Sequence, residues 1–287
     1  MNNLNDKSYN ADLTIVVNTC DSYSDVLSLF FAAFFEHWPN CGFDVVINTE
    51  KNSYVNYPAN IHNYKPGKFN SWGDRLLQTL ESINTEFVLV LYDDFILEKD
   101  IDETEIKAII DFMKLNSSAA VFYLVNTSLP YNMLGDTTEK FVELLDYSDF
   151  KLNSFPAVWR RTDLMKYTGR NDNPWAWEVF GSYRTYNDGK KFYSLTSASD
   201  DIYHYDYSRG GAIYRGKWVK SVVLSKFTKY KLNIDTSLRG FSDDSYSQPR
   251  SLFWKVKFLL IGFKMVGFKS LKFIPRYIKA KYNALKK

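Results

Sequence analysis

Apolar residues run along this chain in short blocks of two alternating kinds. Leu13-Thr-Ile-Val-Val-Asn18 is a β-branched run that stops at polar residues, which predicts a buried first strand. Tyr23 to Trp38 then predicts a helix, with Pro39 ending it. Phe43 to Asn48 predicts a second strand, and Trp72 to Ile83 a helix with Leu76, Leu77, Leu80 and Ile83 on one face. Glu86 to Tyr92 is the most apolar strand and runs directly into Asp93-Asp94. A helix over Glu103–Leu115 and a strand over Ala119–Val125 follow, and Phe155–Trp159 reads as a strand returning to the sheet. Ser128 to Phe155 shows no clear period. Asn173 to Tyr186 reads as a loop entering a helix, and Asp200 to Trp218, rich in Gly, Tyr and Asp, as loop. Strands alternating with helices predict an α/β chain of Rossmann-like form, with a mostly parallel open sheet and flanking helices. Ligands of such sheets bind beyond the carboxyl ends of the strands, where Asn18–Asp21 and Asp93-Asp94 both fall.

Composition sharpens this picture at two points. The chain has 287 residues, 45% hydrophobic and 24% charged, enough for a large core and not a disordered composition. The net charge of +3 conceals an asymmetry: from Arg250 to Lys287 there are 11 Lys/Arg and no Asp/Glu, against 25 basic and 33 acidic residues elsewhere. The division expected is a catalytic domain over 1–245 and a basic, aromatic helical tail over 246–287. An acidic body with a basic tail does not suit nucleic-acid binding, and no nucleic-acid motif accompanies the tail. Leu252 to Val266 is apolar but broken by Lys255, Lys257 and Lys264, too short and too charged to span a bilayer. Lysines and aromatics together suit an interfacial helix on an anionic membrane over residues 250–287, or a helix packed on the body with a solvated basic face. The polar start followed by a short apolar run is no signal peptide, so the expected location is cytoplasmic, peripheral on the inner face of the membrane. Cys20 and Cys41 match no metal or redox spacing. Aromatic rings, 17% of the chain, suit both core packing and the apolar faces of sugars.

Two adjacent carboxylates, Asp93 and Asp94, at the end of a hydrophobic strand are costly unless a cation satisfies them. Mg²⁺ or Mn²⁺ bridging a nucleotide diphosphate would do so, although carboxylates that merely cap the next turn share this pattern. In Asn173-Pro-Trp-Ala-Trp-Glu178, Pro suits a helix start, and Trp175 and Trp177 beside Glu178 would form an apolar wall that raises the carboxyl's pKa. In Arg209-Gly-Gly-Ala-Ile-Tyr-Arg-Gly-Lys217, the glycines permit close backbone approach, and Arg215 and Lys217 offer positive charge suited to phosphate. His204 is a weaker candidate metal ligand.

Trp72-Gly-Asp-Arg-Leu-Leu and Ile83-Asn-Thr-Glu-Phe-Val-Leu-Val-Leu-Tyr-Asp-Asp-Phe-Ile-Leu97 resemble the core of GT-A glycosyltransferases of bacterial capsule and lipopolysaccharide clusters. The resemblance spans residues 12–220. It implies a hexosyl transferase, inverting, that moves sugar from a nucleotide sugar to a growing cell-surface glycan or lipid-linked acceptor. It places Asp93 and Asp94 at the family's Asp-x-Asp motif, with Tyr92 where the upstream Asp would stand, which leaves metal dependence open. It implies Glu178 as catalytic base, Trp175 and Trp177 on the acceptor, and Arg215 and Lys217 on a loop closing over the donor. Asn18, Thr19 and Asp21, completed by Asp74 and Arg75, correspond to the nucleoside pocket. Two other functions share parts of this pattern. A nucleotidyltransferase would carry a Gly-rich basic loop after the first strand, which Asn18-Thr-Cys-Asp-Ser-Tyr23 lacks. A noncatalytic glycan-binding protein would use the aromatic surface alone.

Overall fold

The structure, a computed structural model, describes residues 11–54, 57–132, 140–242 and 251–284. The boundary expected between 245 and 246 lies outside the described residues, as do residues 1–10. In chain order the first half contains β1 (Leu13–Asn18), α1 (Ser24–His37), β2 (Asp44–Asn48), β3 (Ile61–Tyr64), α2 (Trp72–Ser82), β4 (Phe87–Tyr92), α3 (Glu103–Leu115) and β5 (Ala119–Tyr123). The second half contains β6 (Phe141–Glu143), β7 (Ala157–Arg160), α4 (Arg161–Tyr167), α5 (Pro174–Val179), β8 (Lys191–Leu195), β9 (Ile213–Tyr214), β10 (Lys217–Trp218), α6 (Lys220–Lys229), α7 (Leu252–Val266) and α8 (Phe273–Ala284).

Eight strands form one sheet in the order β3-β2-β1-β4-β7-β5-β8-β6. β1 pairs in parallel with both β2 and β4, and β2 with β3. β7 returns antiparallel between β4 and β5, as a strand foreseen over Phe155–Trp159 requires. The architecture is therefore the expected α/β, Rossmann-like one, with β6 and β7 making the sheet mixed. Along β4, Leu89 and Leu91 join the core under α1 and α3, whereas Val88 and Val90 join the core under α2 and α4. This period of two on a strand buried on both sides explains why its sequence reads as an unbroken apolar run.

The chain order reverses direction at β1, since β2 and β3 follow on one side and β4 on the other. Register places Asn18 beside both Asn48 and Tyr92, so three strands end in one row and open a crevice beyond it.

The basic C-terminal segment is helical and packs on the body. Phe180 lies between the tail helices, with its ring centroid 5.1 Å from that of Phe258 on α7 and 5.5 Å from that of Phe273 on α8. Gly262 permits this closeness: a Cβ there would stand 2.6 Å from the Phe180 ring. Arg184 adds a bond to the Met265 carbonyl, and Arg276 pairs with Asp149. Among the described residues, no helix is long and apolar enough to cross a membrane.

Candidate functional site

Asp93 extends the row of strand ends. Its backbone N–H donates to the Asn18 carbonyl (3.2 Å), which continues the β1–β4 ladder by one residue. The chain then turns, with Phe95 N–H donating to Tyr92 O at 3.0 Å, and Phe95, Ile96 and Leu97 enter the core. Burial of those apolar residues holds the two carboxylates at the sheet edge. Asp93 is almost fully buried and accepts a hydrogen bond from the Thr19 hydroxyl. Asp94 is half-buried. Desolvation pushes both carboxyls well above their usual range, and mutual repulsion raises Asp93 further. The Thr19 hydroxyl, Arg239 and Arg75 pull Asp93 partly back.

The segment expected to be loop over 200–218 is what covers this pair. Ile202 and Tyr203 donate to the Leu124 carbonyl, and the Tyr203 hydroxyl donates to Phe95 O at 2.7 Å. Tyr205 lies on Phe95 with ring centroids 4.5 Å apart. Gly211, at φ +130°, then passes so close that a Cβ would stand 2.7 Å from the Asp94 carbonyl oxygen. Ala212 N–H donates to that oxygen at 2.8 Å. The segment ends in a hairpin, β9–β10, whose turn residues Arg215 and Gly216 both have positive φ, as a two-residue turn of this twist requires. Arg215 and Lys217 are exposed on that turn, with the Arg215 guanidinium 5.2 Å from the Tyr214 ring centroid.

Around the first strand, Asp21 accepts from the backbone N–H groups of Lys51 and Asn52, and these bonds lower its pKa against the opposing effect of burial. Asp21 N–H donates to Glu50 in return, so the loops after β1 and β2 are tied together. Asn48 donates to the Asn18 amide oxygen at 2.7 Å. That leaves the Asn18 amide nitrogen and the Asn48 amide oxygen buried without partners among the described residues. Arg75 is buried and donates through Nη1 to the carbonyls of Thr19 and Asn48, while its Nε has no partner among the described residues. It braces the ends of β1 and β2 from within.

Glu178 approaches from α5. Asn173 caps that short helix by accepting from Ala176 N–H, which sets Glu178 on its second turn. The carboxylate accepts from Ser154 N–H at 2.9 Å. The Ser154 side chain also bonds Tyr92, so Glu178 stands near the end of β4 on the side of Tyr92. Burial raises the Glu178 pKa, and the Ser154 bonds offset this only in part.

Three sequence expectations are corrected. Trp177 does not share a wall with Trp175: it is 3% exposed, packs against Trp72 and Trp159, and donates to the Tyr167 carbonyl. The void it lines is about 10 Å³, room for one water and not a sugar. Trp175, by contrast, is 71% exposed. Asp74 does not complete the nucleoside pocket. It accepts from Asn70 N–H at the start of its own helix and pairs with Arg170, which lowers its pKa. His204 does not join the Asp pair. Its ring faces Asp200 at 3.4 Å, and the described residues contain no group of three or more His, Cys, Asp or Glu suited to a metal.

Sequence reasoning missed Arg239 and Glu50. Arg239 grips Asp25 through two nitrogens, lies 4.6 Å from the Tyr23 ring centroid and acts electrostatically on Asp93. Nothing local in the sequence marks it. Glu50 stands two residues past Asn48, and the pairing of strand ends could have pointed to it.

No family model matches the chain, and no curated protein does. Among solved structures it is similar to S. aureus TarS 1-349, at 14% identity and a TM-score of 0.43 over 66% of this chain and 59% of that one. It is similar to CMP:2-keto-3-deoxy-manno-octonic acid synthetase complexed with CTP, at 12% identity and TM-score 0.41 over 64% of this chain and 89% of that one. A third is the bifunctional IspDF from Campylobacter jejuni, at 13% identity, TM-score 0.38 and 67% and 52% coverage. The chain thus spans less than two thirds of the first structure's own length. Likeness at this level bears on no residue and on no activity.

Proposed function

We propose that this chain is a nucleotide-sugar-dependent glycosyltransferase of GT-A type that inverts the sugar it transfers. The observation that carries the reading is the Asp93-Asp94 pair, desolvated and held at the crevice where the sheet reverses direction, while Glu178 bonds Ser154 beside Tyr92. The acceptor is a growing glycan of the capsule or lipopolysaccharide kind, lipid-linked and presented at the inner face of the cytoplasmic membrane.

The donor's nucleoside lies beyond β1 and β2, against Asn18, Thr19 and Asp21. Its diphosphate extends toward Asp93 and Asp94, with Arg215 and Lys217 on the covering hairpin available to its oxygens. Two desolvated carboxylates offer the hard oxygen ligands that Mg²⁺ or Mn²⁺ takes, and few protein ligands leave coordination positions for phosphate. Such an ion would stabilise charge on the departing diphosphate. Glu178 takes the proton of the acceptor hydroxyl as its oxygen bonds to the anomeric carbon. The bond from that carbon to the diphosphate breaks, and the nucleoside diphosphate leaves with the electron pair. A raised pKa suits a base working near neutral pH, and Trp175 supplies an exposed ring for the acceptor.

The loop after β1 argues against a nucleotidyltransferase. It contains no Gly, Lys or Arg, and Asp21 pins it to residues 51 and 52. Thermal shift with UDP-, GDP- and dTDP-sugars, with and without Mn²⁺, tests the proposal. At about a hundred times Kd, a donor stabilises the fold by ~2.7 kcal/mol, and Asp94→Asn should remove the Mn²⁺-dependent part of the shift. Absence of a shift with every donor, or an identical shift in Asp94→Asn, contradicts it.

A further inference from the structure

α7 is apolar over most of its circumference, yet only one side of it is covered. Phe258, Leu259, Ile261, Met265 and Val266 turn toward Phe180 and the body. The opposite side presents Leu252 and Phe253, 78% and 79% exposed, together with Val256, Leu260 and Phe263. The ridge does not stop at the helix end. The Phe268 ring stands 5.4 Å from that of Phe263, and Ile274 and Ile278 on α8 are exposed as well. An exposed apolar patch of this kind marks a docking surface.

Charge selects the occupant. Lys257 and Lys264 flank the ridge, and no Asp or Glu occurs from Arg250 to the last residue. Cores of protein interfaces are depleted of lysine, whereas a lysine at a bilayer surface extends its head into the anionic headgroup layer while its stem stays apolar. At 15 residues α7 is about 22 Å long, too short to span a bilayer and suited to lie in its surface plane.

We propose that the α7–α8 layer is a rigid docking face for an anionic lipid surface, with Leu252, Phe253, Val256, Leu260 and Phe263 entering the acyl boundary. Because Phe180 follows α5 directly and fits against Gly262, docking fixes the helix that carries Glu178 relative to the bilayer. This is a platform bolted to the body rather than a flexible tether. It rests on the geometry of the tail alone and stands whether or not the chain transfers sugar.

Co-flotation of the full chain with vesicles tests it, using phosphatidylglycerol mixed with phosphatidylcholine, and phosphatidylcholine alone. Wild type should float with the anionic vesicles, less at raised salt, and bind the neutral vesicles at least about tenfold more weakly. Phe253→Glu with Leu260→Glu should lower binding to anionic vesicles at least about tenfold. Lys257→Gln with Lys264→Gln should lose a similar factor on anionic vesicles and nothing on neutral ones. Leu260→Gln, a milder change at an exposed position, should give a smaller loss in the same direction, and keeps the test valid if the double Glu variant misfolds. Wild type that stays with the lipid-free fraction overturns the proposal, as does binding unchanged by these variants. Light scattering that shows a dimer split by Leu260→Gln also overturns it, because the ridge is then an interface between copies.

Discussion

Gly211→Ala probes the covering segment at its tightest point. The glycine has φ +130°, where L-residues are rarely found, and holding alanine there costs about 1–3 kcal/mol. The new methyl would also stand 2.7 Å from the Asp94 carbonyl oxygen and 3.3 Å from its Cγ, so the segment must withdraw. Withdrawal breaks the Ala212 N–H bond to Asp94 O, worth about 1 kcal/mol. The expected loss is therefore about 2–4 kcal/mol, concentrated in the 200–218 segment. Gly210→Ala is the control: its φ is +89°, but nothing stands within 4 Å of a Cβ there, so it bears backbone strain alone. Hydrogen exchange at Tyr203, Ala212 and Val219, whose amides are bonded in this segment, reads the local opening. Gly211→Ala should accelerate exchange there well beyond Gly210→Ala while strand amides of β1 and β4 stay protected. Equal exchange in the two variants would refute the argument that close approach to Asp94 requires glycine.

Trp177→Ala should cost about 3–5 kcal/mol in denaturant unfolding, whereas Trp175→Ala should stay within about 0.5 kcal/mol and weaken acceptor use instead. Phe180→Ala should destabilise by about 3–5 kcal/mol and loosen both tail helices, seen as protease cleavage after the basic residues of α7 and α8. Glu178 has a raised pKa in the fold, so the folded state holds its proton more tightly than the unfolded one. Its contribution to stability is then present below the unfolded carboxyl pKa and is lost as pH rises through the folded value. Glu178→Gln should flatten that decline, leaving the variant at least as stable as wild type at neutral pH in thermal melts across the pH range.

The central strands were readable because burial on both faces demands unbroken apolar runs, and β1 and β4 have them. β3 was missed: Ile61-His-Asn-Tyr64 is short, polar and half-exposed at the sheet edge, where burial imposes no pattern. β8, Lys-Phe-Tyr-Ser-Leu, alternates over too few residues to stand out from its surroundings. The row of strand ends that forms the candidate site was legible where it carries polar residues, at Asn18, Thr19 and Asp93-Asp94. It was not legible where distant segments meet, as in the Gly211 contact with Asp94 or the reach of Arg239 toward Asp93. The Trp175–Trp177 pair misled for a reason helix geometry supplies. Residues two apart on a helix point to nearly opposite sides, so only one of them can face an acceptor.

Glu178→Gln, assayed for donor affinity and turnover together, tests the central claim most directly. The amide keeps the size of the carboxyl and can still accept from Ser154 N–H, but it cannot take a proton. Calorimetry with the donor identified by thermal shift should give an unchanged Kd, while turnover falls by about 10²–10⁴-fold. Turnover equal to wild type at unchanged donor affinity would remove Glu178 from the chemistry and contradict transfer by direct displacement at this site.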